Sequence, residues 1–194
     1  GLYPDLLNLG GDCVFECSAK LVSLFARSFP RATIVARSEP AHAATVEGVA
    51  YQIAAGSLAR YLRPSLASFP ARKRYLVADP SRVRHWRERL DALGSGLKVG
   101  FSWRSMNLRG ERALACSRLD EWGELLRVPG VHWICLQYDE CAAELERARS
   151  RFGVPLHRFD GVDYFDDLDE IAALTQSLDL VITGPTAVSV FAAA

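Results

Sequence analysis

The clearest alternation of hydrophobic and polar positions covers residues 97–102 (LKVGFS), and its period of two predicts a β-strand. The rest of the second half alternates strand-like runs with helix-like runs. Further strands are predicted at residues 131–136, near Leu156 and at residues 179–183, and the segments between them carry apolar residues at helical spacing. A last helix is predicted to start near Thr186. Strands alternating with helices in this way are typical of βαβ units with a parallel sheet.

The first half shows the same alternation with shorter elements. Strands are predicted at residues 13–17 (CVFEC) and 32–36 (ATIVA), with a helix after Ser18 between them. Residues 37–55 lack periodicity, although residues 51–54 fit a short third strand. The other predicted helices run from Leu2 to Leu9, from Leu58 to Leu66 with a kink or a break at Pro64, and from Pro80 to Leu93.

The strongest linker signal is Gly94-Ser95-Gly96, which predicts a boundary between an N-terminal unit of residues 1–93 and a C-terminal unit of residues 97–194. We therefore expect an α/β protein made of two Rossmann-like halves, each with its own parallel sheet. Both ends of the chain read as interrupted helices, which predicts that the chain is truncated at both ends.

The composition is that of an ordinary globular protein. Of the 194 residues, 49% are hydrophobic and 24% are charged, and the formal net charge is zero. A zero net charge argues against a general nucleic-acid or membrane-surface binder, which would need a sustained excess of basic residues. No apolar run approaches the roughly 18 residues of a membrane-spanning helix, and no signal peptide is visible. We expect no nucleic-acid partner, no membrane span and a cytoplasmic location.

The cysteines and histidines do not form a recognisable metal-binding pattern. The five cysteines are odd in number and lack any CxxC pair, so they are predicted to be unpaired thiols. They are Cys13, Cys17, Cys116, Cys135 and Cys141. The four histidines show no ligand spacing, and no metal site is expected.

The segment after the first strand of the second half is rich in arginine. Arg104, Arg109, Arg112 and Arg118 lie between residues 103 and 118, where Glu111 is the only acid. In an α/β sheet, ligands bind at the carboxyl ends of the strands, and arginine can hold phosphate with two parallel hydrogen bonds. The segment is therefore a candidate phosphate site, and a solvated surface loop is the alternative.

A second candidate phosphate-binding element is the turn after the strand at residues 179–183. The first-turn amides of Thr186, Ala187 and Val188 would be unpaired donors beside small side chains. The Thr186 hydroxyl could either cap the helix or bind a phosphate oxygen. Both elements follow strands, so both are expected at the same edge of the sheet.

Two other groups of polar residues have competing interpretations. Gln137 and Tyr138 follow a predicted strand and either hold a nucleobase or ribose or form a partly buried turn. Residues 160–179 contain seven acids and no lysine or arginine. Asp166 and Asp167 among them are expected to favour a helix N-terminus, with a Mg²⁺ site as the alternative. The chain lacks the motifs GxGxxG, GxxxxGK[ST] and GxSxG, which argues against a dehydrogenase, a P-loop NTPase and a serine hydrolase.

Several stretches of the chain, taken in order, resemble one protein family. They are VFECSAKLVSLFARSFP, LKVGFSWRS with the loop arginines, LDEWGELL, VHWICLQY, DDLDEIAALTQSLDLVI and TGPTAVSVFAAA. The family is the glycosyltransferase domain at the C-terminus of bacterial tetratricopeptide-repeat proteins. That domain is similar to the ADP-heptose:lipopolysaccharide heptosyltransferases (family 9) and more distantly to the O-linked N-acetylglucosamine transferases. The resemblance covers nearly the whole chain.

This resemblance implies a GT-B architecture whose C-terminal half binds the donor. The donor would be a nucleotide-diphosphate sugar and the acceptor a protein or a glycan, with repeat helices elsewhere in the same polypeptide. The residues that would bind the donor diphosphate are Arg104, Arg109, Arg112, Thr186, Ala187 and Val188. Gln137 and Tyr138 would lie near the nucleoside. Such enzymes generally need no metal cofactor, because protein cations and helix dipoles stabilise the leaving diphosphate.

The sequence departs from the family pattern at two places. The family's first strand and its Gly-Asp loop, which help to form the acceptor and catalytic side, would precede Gly1. In the last motif, Pro185 and Val190 occupy the positions where the family commonly has an acid and a histidine. Two hypotheses follow. The chain is either a fragment of a glycosyltransferase domain, whose catalytic residues the sequence does not assign, or a degenerate, non-catalytic module that binds a nucleotide or a partner.

Overall fold

The computed structural model describes residues 2–40, 45, 47–71, 74–106 and 110–194, with only the backbone of Glu111 and Arg112. The chain is an α/β protein with two parallel sheets, one of two strands and one of four. It divides into two compact units. The first comprises residues 1–77 together with Ala194, and the second comprises residues 78–193.

The first unit contains a two-stranded parallel sheet and short helices. Its α-helices and strands are α1 (Tyr3–Asn8), β1 (Cys13–Cys17), α2 (Val22–Ser28), β2 (Ala32–Ala36) and α3 (Leu58–Leu62). Short 3₁₀ helices cover Ala19–Leu21, Ala55–Ser57 and Leu66–Ser68. The register places Cys13 opposite Ala32 and Cys17 opposite Ala36. The bounds of both strands agree with the sequence prediction.

Aromatic side chains form the core of the first unit. Tyr3 of α1 stacks on Phe15 of β1 with ring centroids 4.4 Å apart, and both rings meet Phe29 edge-on. Leu7 and Phe29 are buried beside them. Helix α1 therefore docks on the sheet through its apolar face, which accounts for the predicted helix at residues 2–9.

Two sequence predictions for residues 51–66 have different outcomes. The expected third strand at residues 51–54 is not formed. This stretch is irregular, and Tyr51 is 94% exposed, so none of the strands that the structure describes covers it. The predicted break at Pro64 is confirmed. Helix α3 ends at Leu62 and a separate 3₁₀ turn begins at Leu66, because proline cannot donate the backbone hydrogen bond that would continue the helix.

The second unit is built from alternating strands and helices. Its α-helices and strands are α4 (Pro80–Asp91), β3 (Leu97–Ser102), α5 (Gly123–Leu126), β4 (Val131–Cys135), α6 (Ala142–Phe152), β5 (Leu156–His157), α7 (Leu168–Gln176), β6 (Leu180–Thr183) and α8 (Ala187–Ala192). Two 3₁₀ helices cover Gly110–Ala115 and Leu119–Glu121. The strand order is β5-β4-β3-β6, and every pairing is parallel. Strand β3 is an inner strand, with β4 on one side and β6 on the other.

The alternating residues of β3 have two different environments. Phe101 is fully buried, and its ring centroid lies about 6 Å from those of Trp103, Trp122 and Trp133. Gly100 points the other way, where an added Cβ would lie 2.6 Å from Leu136 Cδ1 and 2.5 Å from Leu178 Cδ1. A side chain at position 100 would therefore collide with the packing on that face of the sheet.

Helix α4 belongs to the second unit, although the sequence placed it in the first. The Trp86 ring of α4 packs against Phe159 at 5.0 Å, and Arg82 forms ion pairs of 2.8 Å with Asp167 and Glu170 beside α7. The division between the units therefore falls between Val77 and Ala78. The predicted linker at residues 94–96 lies inside the second unit, where it is a turn between α4 and β3.

The turn before β3 is closed by a buried lysine. Lys98 is 7% exposed, and its ammonium donates to Gly94 O at 2.5 Å and to Gly96 O at 3.0 Å. Its backbone N–H donates to Asp179 Oδ2 at 2.7 Å. These bonds fix the start of β3 against the segment that leads into β6.

The predictions about thiols and membrane spans can be compared with the structure directly. All five cysteines are free, which confirms the prediction of unpaired thiols. Within the described ranges, no helix combines the length and the apolar character needed to cross a bilayer.

Candidate functional site

The candidate site lies at the carboxyl edge of the four-stranded sheet. Strands β3 and β6 are parallel neighbours, with Ser102 opposite Thr183, and Gly184 N donates to Ser102 O at 3.2 Å. The segment that begins at Trp103 and the turn that precedes α8 therefore leave the sheet at the same edge, as the sequence predicted. We call this the carboxyl-edge site.

A row of hydroxyl groups crosses the two strand ends of this site. Ser102 Oγ lies 2.6 Å from Thr183 Oγ1, which lies 3.5 Å from Thr186 Oγ1. Ser102 is fully buried, whereas Thr183 and Thr186 are half-buried. Helix α8 begins at Ala187 after Thr186, yet the Thr186 hydroxyl makes no capping bond to the helix backbone. The predicted helix start is confirmed, and the hydroxyl is not occupied by the cap.

The other two predicted residues of that turn differ in exposure. Ala187 is exposed, whereas the Val188 side chain is buried at 3%. Only their backbone amides could therefore contribute to anion binding, as the sequence proposed for them.

Arg104 is held by acidic residues of α6 and of the connection that precedes it. Its Nη1 donates to Asp139 Oδ2, its Nη2 to Glu144 Oε2 at 2.6 Å, and Nη2 also to Glu140 O at 3.2 Å. Burial alone would lower the pKa of this guanidinium, but the contacts with Glu144 and Asp139 outweigh it and raise the pKa. The charge of Arg104 is thus neutralised by two carboxylates. A phosphate would have to displace them to reach it.

Gln137 is a buried structural connector rather than an exposed ligand group. Its Oε1 accepts from the backbone N–H groups of Trp103 at 3.2 Å and Arg104 at 3.4 Å. Its Nε2 donates to Arg104 O at 3.0 Å and to Asp139 Oδ1 at 2.8 Å. The side chain is 0% exposed, so the predicted contact with a nucleoside has no free polar atom to act through in this structure.

Tyr138 also contacts the segment that follows β3. Its hydroxyl accepts a hydrogen bond from Met106 N at 2.8 Å and lies 3.2 Å from Ser105 Oγ. The ring is half-buried and lies 6.1 Å from Phe165. Tyr138 therefore retains a partly exposed aromatic surface at the carboxyl-edge site, and its contact with a nucleoside stays a prediction.

The structure describes the other arginines of this segment only in part. Arg109 lies outside the described residues, and Arg112 lies on the 3₁₀ helix Gly110–Ala115 with only its backbone described. Their roles in diphosphate binding stay predictions. Arg118 is mostly exposed and lies 3.5 Å from Asp120.

Two of the acidic residues between 160 and 179 accept backbone hydrogen bonds at the start of α7 or just before it. Asp167 Oδ1 accepts from Glu170 N at 2.9 Å and caps the helix, as predicted. Asp163 Oδ1 accepts from the backbone N–H groups of Phe165 and Asp166. In the part of the chain that the structure describes, no three histidine, cysteine or acidic residues are grouped as metal ligands.

A comparison with known proteins shows a similarity that covers nearly the whole chain. Protein FlbA of Caulobacter vibrioides is 36% identical over 194 aligned residues, which cover 93% of this chain and 33% of that protein. The chain thus spans about a third of the length of this relative. No protein-family model matches the chain, and no solved structure matches it.

The structure adds polar residues to the site that the sequence patterns did not single out. Ser102 and Thr183 are the last residues of β3 and β6, and Arg158 directly follows β5. The rule that ligands bind at strand carboxyl ends could have indicated all three. Arg158 donates to Gln137 O at 2.6 Å, and its guanidinium stacks on the Tyr164 ring at 4.3 Å.

A half-buried histidine at the end of β5 makes stability depend on pH. His157 Nε2 is buried without a hydrogen-bond partner. Burial, and then the nearby charges of His132, Arg149 and Lys98, lower the pKa of His157 below its ordinary 6.5. Protonation of His157 is easier in the unfolded chain than in the folded one. The folded state is therefore most stable above about pH 6.5, and it loses stability as the pH falls towards the lowered pKa of His157.

Replacing His157 with glutamine is therefore expected to reduce the loss of stability between about pH 7 and pH 5. The measurement is the free energy of unfolding by denaturant at both pH values. His85→Gln, at an exposed position on α4, is the matched control and should lose as much stability as the parent chain. An equal loss in the His157 variant would contradict the assignment.

Proposed function

We propose that the second unit binds a nucleoside diphosphate at the carboxyl-edge site and is the donor half of a GT-B-type glycosyltransferase. The observation that carries this proposal is the half-buried Thr186 hydroxyl, which makes no capping bond to α8. It ends a row of hydroxyl groups that continues through Thr183, 3.5 Å away, to the fully buried Ser102, 2.6 Å further. Hydroxyl groups at the carboxyl ends of parallel strands are suited to bind phosphate oxygens, because ligands of α/β sheets bind at this edge. The first unit would be the acceptor side.

The proposed reaction is transfer of a sugar from a nucleotide-diphosphate donor to a protein or glycan acceptor. The developing charge on the leaving diphosphate must be stabilised by directed donors and cations. The Thr186 hydroxyl and the backbone amides that follow it would supply directed donors. Arg109 and Arg112 would supply positive charge, since Arg104 is neutralised by Asp139 and Glu144. The resemblance of the sequence to tetratricopeptide-repeat glycosyltransferases supports the same substrate class.

Replacing Thr186 with valine is expected to weaken nucleoside diphosphate binding by roughly ten- to a hundred-fold. The change removes one hydrogen bond to a charged group, which is worth about 1.5–3 kcal/mol, and keeps the shape of the side chain. Calorimetric titration of the whole chain with ADP, UDP and GDP, each without added metal, measures the effect.

The matched control for this titration is Thr33→Val, which makes the same change on an exposed position of β2 in the first unit. Its affinity should equal that of the parent chain. Equally tight binding by the Thr186 variant would show that the row of hydroxyl groups does not bind the nucleotide. Failure of all three nucleotides to bind the parent chain would contradict the proposed function.

A non-catalytic binding module is the second candidate, and one observation favours it. Arg104, the first arginine of the loop, is committed to Asp139 and Glu144 and has no free charge to offer a phosphate. The positions where the resembled family has an acid and a histidine hold Pro185 and Val190. Nucleotide affinity without hydrolysis or transfer of any nucleotide sugar by the full-length protein would favour this candidate. Turnover would favour the enzyme.

A further inference from the structure

Two of the five free thiols lie close enough together to react. Cys135 is the last residue of β4, and Cys141 is the residue before α6. Their sulfur atoms are 4.0 Å apart, and the side chains are 0% and 3% exposed within the hydrophobic core of the second unit. A disulfide needs the sulfur atoms about 2 Å apart, so each thiol would have to move by roughly 1 Å.

The charge environment distinguishes the two sulfur atoms. Arg158 Nη1 lies 3.5 Å from Cys135 Sγ. Burial disfavours the Cys135 thiolate, but hydrogen bonds from the Cys141 thiol and the Gln137 backbone, together with Arg158, lower its pKa. The pKa of Cys141 is raised, first by its bond to Cys135 and then by burial. Cys135 is therefore the better nucleophile and Cys141 the thiol that keeps its proton.

Arg158 keeps its positive charge beside Cys135. Its guanidinium stacks on the Tyr164 ring at 4.3 Å, and burial raises the pKa of that tyrosine to about 12, so the phenol is neutral. The other bond of Arg158 Nη1 is to a carbonyl, Gln137 O, at 2.6 Å. Neither of these partners cancels the charge. The guanidinium is thus able to stabilise a thiolate on Cys135.

We propose that Cys135 and Cys141 are a peroxide-reactive dithiol that forms a reversible disulfide between the end of β4 and the start of α6. The Cys135 thiolate attacks one oxygen of hydrogen peroxide, the O–O bond breaks, and the departing hydroxide takes up a proton to give water and a sulfenic acid on Cys135. Cys141 then loses its proton and attacks that sulfur, the S–O bond breaks, and a second water leaves. Two thiols are oxidised by two electrons, and one peroxide is reduced to two waters.

The disulfide would close the five-residue connection from Leu136 to Glu140. This connection contains Gln137, Tyr138 and Asp139, which hold Trp103, Arg104 and Met106 in place through the bonds described above. Oxidation would therefore act on the segment that shapes the carboxyl-edge site. The proposal itself does not depend on what that site binds.

Peptide mapping of the oxidised whole chain tests the proposal. The reduced protein is treated with hydrogen peroxide, quenched in acid, denatured and alkylated. Trypsin then releases residues 128–147 as one peptide with both thiols, and cleavage after Glu140 separates them. We expect peroxide to give a peptide two hydrogens lighter and unalkylated, whose halves stay joined after the second cleavage until dithiothreitol is added. The proposal would be overturned if Cys135 and Cys141 were both still alkylated after peroxide treatment that oxidises Cys116. It would also be overturned if the disulfide formed only when denaturant was present during oxidation.

The rate of oxidation tests the contribution of Arg158. Arg158→Gln is expected to form the disulfide several-fold more slowly than the parent chain, because the thiolate fraction of Cys135 falls. Arg151→Gln, on the exposed side of α6, is the matched control and should react at the parent rate. Equal rates in the two variants would contradict the role of Arg158. The peptide mapping uses only the parent chain, so its result does not depend on whether either variant folds.

Discussion

Replacing Gln137 with methionine is expected to lower the free energy of unfolding of the second unit by about 2–5 kcal/mol. Methionine has nearly the same length and shape but cannot replace the amide. The change leaves Trp103 N, Arg104 O and Asp139 Oδ1 without this partner in a part of the unit where Gln137 is fully buried. Loss of these bonds should also free the segment after β3, and it should weaken nucleoside diphosphate binding if the proposed function holds.

Chemical unfolding followed by tryptophan fluorescence measures this effect. All four tryptophans lie within residues 78–193, so their fluorescence reports on the second unit. Gln52→Met makes the same change at an exposed position of the first unit and should leave the tryptophan transition where it was. A stability of the Gln137 variant within about 0.5 kcal/mol of the parent would mean that the surrounding groups find other partners.

The Phe101→Ala variant is expected to lose about 3–5 kcal/mol of stability in the second unit, the usual cost of removing a buried aromatic ring. Phe101 lies on an inner strand, is 0% exposed and contacts three tryptophan rings. The cavity would be lined by rings that are held by β4 and by the loops, so it could close only in part. Thermal and denaturant unfolding by circular dichroism measure the loss without relying on the fluorescence of the rings that the change perturbs.

Phe165→Ala is the comparison for this change, because Phe165 lies in the same unit but is 47% exposed. Its ring is packed less completely, so the loss should be about 1 kcal/mol or less. Equal losses in the two variants would show that the cluster around Phe101 is not the main hydrophobic core of the second unit.

The strands of this fold could be predicted almost residue by residue. Strands β1, β2 and β3 have the predicted bounds because each is a short apolar or alternating run with glycine, proline or polar residues beside it. Residues 51–54 have a similar local composition, but they pair with none of the described strands. Strand formation depends on a partner strand, which the local pattern does not contain.

The division between the units could not be predicted from local signals. The glycines at positions 94 and 96 indicate a turn, and a turn is present, with positive φ at both. Whether α4 joins the unit before or after this turn depends on contacts between Trp86 and Phe159, which are far apart in the sequence. A pattern of turn residues carries no information about such packing.

The carboxyl-edge site was predictable in position but not in charge. The rule that parallel strands end at one edge places the β3 loop and Thr186 together, and the register of Ser102 and Thr183 agrees. The bonds of Arg104 to Asp139 and Glu144 depend on side-chain geometry across 35 and 40 residues. A count of basic residues in one segment cannot include acids that approach from another.

Because Lys98 is buried, its reaction with an amine reagent can report local unfolding at the start of β3. Lys98 is the only lysine between Ala78 and Ala193, and its amine is enclosed by the carbonyl groups of Gly94 and Gly96. An amine-directed acylating reagent should therefore modify the first unit while sparing the second. Acylation at Lys98 would occur only in molecules whose β3 start has come away from the turn, so mass spectrometry of the labelled chain would count those molecules directly.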